Sequence, residues 1–112
     1  MSVLELVRRL EERIEELERE REEILKEMAK LTPLKGTVCL ERVRNKTGMV
    51  YHYWYHYWYE GGKRHKAYIG PTLPESYEKA LRDKEKYMQL KARLKAIEKE
   101  LMRLRKKLKR IF

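Results

Sequence analysis

The chain has 112 residues and a formal net charge of +10, with 28 Lys and Arg against 18 Asp and Glu. That length excludes a second independent core, which chains below about 150 residues rarely support. Its apolar residues include no run near the roughly 18 to 20 that a membrane span needs, and its one cysteine, Cys39, excludes an intrachain disulfide or a multi-cysteine zinc site.

The first 31 residues predict a helix. Val3, Val7, Leu10, Ile14, Leu17, Ile24, Met28 and Leu31 alternate at spacings of four and three with only Arg21 interrupting, which is a heptad seam. Ser2 with Glu5 forms a capping box at its start, and Thr32-Pro33 closes it. The chain opens directly on this charged helical pattern instead of a signal-peptide core, which predicts a cytoplasmic protein. With one Asp, one Asn and one Gln (Asp83, Asn45 and Gln89) beside abundant Glu, Lys and Arg, the composition predicts a thermophilic source.

Residues 36–70 predict a three-stranded antiparallel sheet. Its central strand holds Tyr-His-Tyr-Trp twice, at residues 51–54 and 55–58, followed by Tyr59, and aromatic residues favour strands. Gly61-Gly62 supplies the positive-φ pair of a two-residue hairpin, which sets Tyr59 opposite Arg64, Tyr57 opposite Lys66, Tyr55 opposite Tyr68 and Trp54 opposite Ile69. Upstream, a four-residue loop Asn45-Lys46-Thr47-Gly48 sets Arg42 opposite Tyr51, Leu40 opposite Tyr53, Val43 opposite Val50 and Cys39 opposite Trp54. Because cross-strand neighbours share a face, this register predicts a working face of tyrosines with Arg42, Arg44, Arg64 and Lys66. The opposite face collects Trp54, Trp58 and the three histidines, and is expected to lie against the helices or a second subunit.

From residue 73 to 112 the helical pattern resumes. Tyr87, Leu90, Leu94, Ile97, Leu101, Leu104, Leu108 and Ile111 form a second seam, with Thr72 and Glu75 as the predicted capping box and Pro74 in the first turn. Residues 1–31 carry a net charge of −3 and residues 74–112 a net +8. Such helices are complementary partners for an antiparallel coiled coil, within the chain or between chains. Helix 1 has too little acid to neutralise the run Arg103, Arg105, Lys106, Lys107, Lys109 and Arg110, which is read as a source of further phosphate contacts.

Lys35-Gly36-Thr37, Gly48 through Tyr59, Glu60-Gly61-Gly62-Lys63 and Tyr68-Ile69-Gly70 before a basic helix resemble the core motif of a family of small archaeal and bacterial proteins associated with mobile elements. A similar hairpin occurs in some transposases and, in outline, in the arm-binding domains of tyrosine recombinases. The resemblance implies DNA binding through Tyr57, Tyr59, Lys63, Arg64 and Tyr68. Members often carry a cysteine pair in the first hairpin that this chain lacks, so a metal role does not carry over. The order helix, β segment, helix is also similar to the β-type subunit of prefoldin, which implies an alternative as a coiled-coil chaperone or assembly protein with the sheet as its interface.

Catalysis finds little support. Glu60-Gly61-Gly62-Lys63 lacks the spacing of a phosphate-binding loop. His52 and His56 are four positions apart on a strand, roughly 13 Å, which is too far for one metal. Ser2 and Ser76 sit at helix starts as capping or first-turn residues. The expectation is a single α+β domain over residues 1–112, with two long helices in an antiparallel coiled coil flanking a central three-stranded antiparallel sheet. It is a non-enzymatic protein with no cofactor and no metal. Its partner is double-stranded DNA, with single-stranded nucleic acid as the alternative, bound by Arg42, Arg44, Tyr55, Tyr57, Tyr59, Lys63, Arg64, Lys66 and Tyr68. Membrane binding is disfavoured because the apolar stripes are narrow. A homodimer through the Trp face, the seams, or both is expected because a lone small sheet buries little.

Overall fold

The computed structural model describes residues 2–112; the first residue of the predicted N-terminal helix lies outside that range. The elements are α1 (Val3–Ala29), β1 (Thr37–Arg44), β2 (Val50–Glu60), β3 (Lys63–Gly70) and α2 (Glu75–Ile111), an α+β chain whose antiparallel sheet has the order β1-β2-β3. Two compact units are built from them. One runs to Leu31 and resumes over Lys86–Phe112, and the other is the continuous stretch Thr32–Glu85.

In the first unit the Ser2 hydroxyl accepts the Glu5 N–H at 3.2 Å and starts α1 as the capping pattern requires. Leu10, Leu17 and Ile24 of α1 are buried with Ile97, Leu101 and Leu104 of α2, and Ile14, Met28, Leu90, Leu94, Leu108 and Ile111 complete the cluster. The two helices run antiparallel, since Arg13 pairs with Glu100 (3.7 Å) while Glu20, further along α1, pairs with Arg93 (2.8 Å) nearer the start of α2. Arg21, the residue that breaks the first seam, turns its guanidinium outward to Glu98 at 3.4 Å. Val3 lies outside the core at 66% exposure, and Leu6 joins the cluster there. Both seams are therefore occupied within one chain.

In the second unit Gly61 and Gly62 take φ of +60° and +75°, and the hairpin pairs Tyr59 with Arg64, Tyr57 with Lys66 and Tyr55 with Tyr68, as the turn predicts. A bulge then leaves Ile69 unpaired, so Trp54 faces Gly70 and not Ile69.

The first hairpin departs from expectation by one residue. Its loop has three residues, Lys46-Thr47-Gly48, with Gly48 at φ +86°, and the Asn45 N–H donates to the Met49 carbonyl at 2.9 Å to close it. The Asn45 side chain fixes this geometry, accepting the N–H groups of Thr47 (3.0 Å) and Met49 (2.9 Å) and the Thr47 hydroxyl (2.7 Å). Arg44 therefore faces Val50, Val43 faces Tyr51, Arg42 faces His52, Glu41 faces Tyr53, Leu40 faces Trp54 and Cys39 faces Tyr55. A slip of one residue moves every β1 side chain to the other face.

The sheet is tied to the segments beside it in sequence at two places. Gly36, at φ +83°, lies so close to β2 that a Cβ there would sit 1.9 Å from the Tyr57 carbonyl oxygen and 2.8 Å from the Trp58 Cβ. The Gly36 carbonyl accepts the Lys84 ammonium, the Leu34 N–H donates to the Ala80 carbonyl at 3.1 Å, and the Thr32 N–H and hydroxyl donate to the Asp83 carboxylate at 3.1 and 3.3 Å. The Thr32 backbone N–H holds the Asp83 carboxyl below its ordinary value against the loss of water around it; the Thr32 hydroxyl and the charges of Lys79 and Arg82 act in the same direction as the N–H. The helix α2 itself starts later than the Thr72 cap predicts. Its first backbone bonds run from Tyr77 and Glu78 to the carbonyl of Pro74, which as a proline offers no N–H that would need a partner there.

Candidate nucleic-acid interface

Period-two alternation places Tyr51, Tyr53, Tyr55, Tyr57 and Tyr59 on one face of β2, and the observed pairing adds Arg64, Lys66 and Tyr68 from β3 with Glu41 and Cys39 from β1. The rings interlock. Tyr51 and Tyr53 stack at 5.9 Å, and Tyr68 meets Tyr53 and Tyr55 edge-on at 5.5 and 5.7 Å. Cations lie over the rings further along: the Arg64 guanidinium is 4.4 Å from the Tyr57 centroid, and the Lys66 ammonium is 4.2 Å from Tyr55 and 5.4 Å from Tyr57. Glu41 is held from both sides, accepting the Tyr57 hydroxyl and pairing with Lys66 at 2.9 Å.

This corrects the composition of the expected working face. Arg42 and Arg44 lie on the opposite side, with His52 and Trp54, because the three-residue loop reverses β1; Lys63, opposite Glu60, is on that side too. The cations of the sheet are thus divided, two on the tyrosine face and three on the other. Glu41, to which the sequence analysis gave no place, is the acid of the tyrosine face. Its signal was the Asn45–Gly48 loop chemistry, which with the right loop length sets it opposite Tyr53.

The second face is built around Trp58, which lies between His65 (5.4 Å, nearly parallel) and His56 (4.7 Å) and donates its indole N–H to Glu60 at 3.3 Å. His56 Nε2 is 2.7 Å from the Lys35 carbonyl and the ring meets Tyr77 of α2 edge-on at 5.5 Å, while His65 Nε2 is 3.3 Å from the Glu60 carbonyl. Both histidines are half-buried hydrogen-bonding residues that pack on Trp58. No group of three or more His, Cys, Asp or Glu with metal-holding geometry occurs among the described residues. Among the described residues every buried apolar side chain belongs to α1 or α2, and Leu40 on this face remains 49% exposed.

Among the described residues Arg42, Arg44, Lys63 and Arg64 are exposed cations without a carboxylate at ion-pair distance, as are Lys106, Lys107, Lys109 and Arg110 near the end of α2. Arg103 and Arg105, expected to join that run, are paired with Glu100 (3.8 Å) and Glu18 (2.7 Å). No helix among the described residues is long and apolar enough to cross a membrane.

Residues 5–79 match the family described as Domain of unknown function (DUF6788). The matched span takes in nearly all of α1, the whole sheet and the first turns of α2, and stops before the basic run. No curated protein and no solved structure matches the chain.

Proposed function

The chain belongs to the DUF6788 family, and from the sheet enclosed by the matched span we propose that it is a non-enzymatic protein that binds double-stranded DNA. The observation that carries this reading is the Arg64 guanidinium, exposed, unpaired and 4.4 Å from the centroid of the Tyr57 ring on the face that carries the tyrosine row. A planar fork held in this way is suited to phosphate oxygens. The rings of Tyr55 and Tyr57 already carry cations, so they act as supports for charge more than as bare platforms for unpaired bases, which favours a duplex backbone over stacked single strands. Lys63 at the same hairpin, Arg42 and Arg44 on the other face, and Lys106, Lys107, Lys109 and Arg110 on α2 add contacts that carry no sequence information. Tyr59, opposite Arg64, and Tyr68, opposite Tyr55, are 69% and 60% exposed on the same face. The reading places the protein in the cytoplasm on the nucleoid, as a homodimer, and agrees with the resemblance to proteins of mobile elements.

Fluorescence anisotropy against labelled duplex DNA, single-stranded DNA and duplex RNA over a salt series tests this. Submicromolar duplex binding with a log–log slope of about −0.9 per neutralised phosphate is expected, and the Arg64→Ala/Lys66→Ala variant loses that affinity while keeping its fold. Absence of binding to all three near physiological salt overturns it. A second reading, an assembly protein with the sheet as its plate, is favoured by the strands, in which the backbone of Gly70 is buried and every side chain is at least partly exposed. Light scattering that shows large oligomers without nucleic acid binding would select it.

A further inference from the structure

The helix pair has a surface of its own. On the side crossed by the ion pairs Glu18–Arg105 (2.7 Å) and Arg21–Glu98 (3.4 Å), an open groove of about 840 Å³ runs between α1 and α2, with Leu101, Leu25 and Met102 among its lining residues. Leu25 is 40% exposed and Met102 60%. Both belong to seven-residue series. Leu4, Glu11, Glu18 and Leu25 recur along α1, and Met88, Lys95, Met102 and Lys109 along α2, and a seven-residue step returns to nearly the same helix face. Leu4 and Met88, the outer apolar members, are 80% and 61% exposed. Beside each occupied seam there is thus a second stripe, half apolar, completed by Glu on α1 and by Lys on α2.

We propose that this groove is the surface on which a second copy of the chain docks, with α1 of each chain lying over α2 of the other in a four-helix bundle. Charge selects this arrangement. A two-fold contact is self-complementary, so the stripes can meet either α1 on α1 or α1 on the partner's α2. Glu18 is already paired with Arg105 of its own chain, so Glu11 decides: the first sets it against the partner's acidic stripe, and the second against the Lys95 and Lys109 stripe. The apolar members Leu25 and Met102 are covered in the same step. The seams offer no competing surface, because the chain has filled them itself. This inference rests on the homodimer part of the proposed function and is independent of DNA binding.

Size-exclusion chromatography with light scattering on the full chain tests it. The wild type is expected to be a dimer, and Leu25→Lys/Met102→Lys to raise its dissociation constant about 100-fold or more with unchanged helical circular dichroism, since both side chains lie outside the seam. A monomeric wild type overturns the groove and the homodimer together. A double variant that stays dimeric overturns the groove and leaves the homodimer standing. Orientation is read by disulfide trapping in a Cys39→Ser background: Glu11→Cys and Lys109→Cys chains are expected to cross-link only when mixed. A cross-link in the Glu11→Cys chain alone overturns the arrangement.

Discussion

Lys66 and Glu41 stand on the two edge strands and meet at 2.9 Å across the width of the sheet, with the Lys66 ammonium 4.2 Å from the Tyr55 ring. Two of the tyrosine-face charges therefore neutralise each other, and Arg64 is the free one. Arg64→Ala is expected to lower duplex affinity more than Lys66→Ala and to reduce the salt slope by about 0.9. Glu41→Gln, which releases Lys66, is expected to raise affinity about two- to fivefold, the worth of a half-exposed ion pair. Anisotropy titrations of the three variants check the order.

Gly36 and Gly48 both have positive φ, yet only Gly36 has backbone in the way of a Cβ. Gly48→Ala is expected to cost about 1 to 2 kcal/mol from the left-handed conformation alone. Gly36→Ala adds a collision with the Tyr57 carbonyl and is expected to cost about 3 kcal/mol or more. Urea denaturation of the two variants gives the comparison.

Asp83 is held below its ordinary value chiefly by the Thr32 N–H. A carboxylate whose folded value is lowered contributes stability that is present above its unfolded value, near 4, and is lost as pH falls through the folded value. Asp83→Asn is therefore expected to lose less stability than the wild type between about pH 5 and pH 2. Thermal melts across that interval measure it.

Arg21 occupies a seam position between Leu17 and Ile24, and its ion pair with Glu98 is half exposed. Exposed pairs of this kind contribute about 0 to 1 kcal/mol, less than a leucine side chain gains from burial at a seam. Arg21→Leu is expected to stabilise the helix pair by about 1 kcal/mol, read as a higher denaturation midpoint.

The parts legible in the sequence are those governed by short repeats. Seven-residue spacing locates the seams from Leu10 to Met28 and from Leu90 to Ile111, while Val3, Val7, Leu31 and Tyr87 at their ends stay outside the cluster; Gly61-Gly62 sets the second hairpin because two adjacent glycines admit few turns. The first hairpin was misread because its length depends on where Asn45 belongs. Read as a loop residue it gives four residues; acting as the closing pair with Met49, with its side chain bridging the loop, it gives three. That one residue decided which face received Arg42, Arg44 and Glu41. The contacts of Thr32 with Asp83 and of Lys84 with Gly36 have no local pattern at all, since their partners are about 50 positions apart.

The Thr32–Asp83 contact also bears on the entropy of the helix pair. The two helices are separated in the chain by the whole stretch Thr32–Glu85, and bringing them together unaided means closing a loop of that length. Once the sheet has formed and Thr32 holds Asp83, the loop left to close is only a few residues long. On a logarithmic closure cost, that difference is worth about 2 kcal/mol. A lesion such as Gly36→Ala should therefore loosen the helical core by lengthening the tether between its halves.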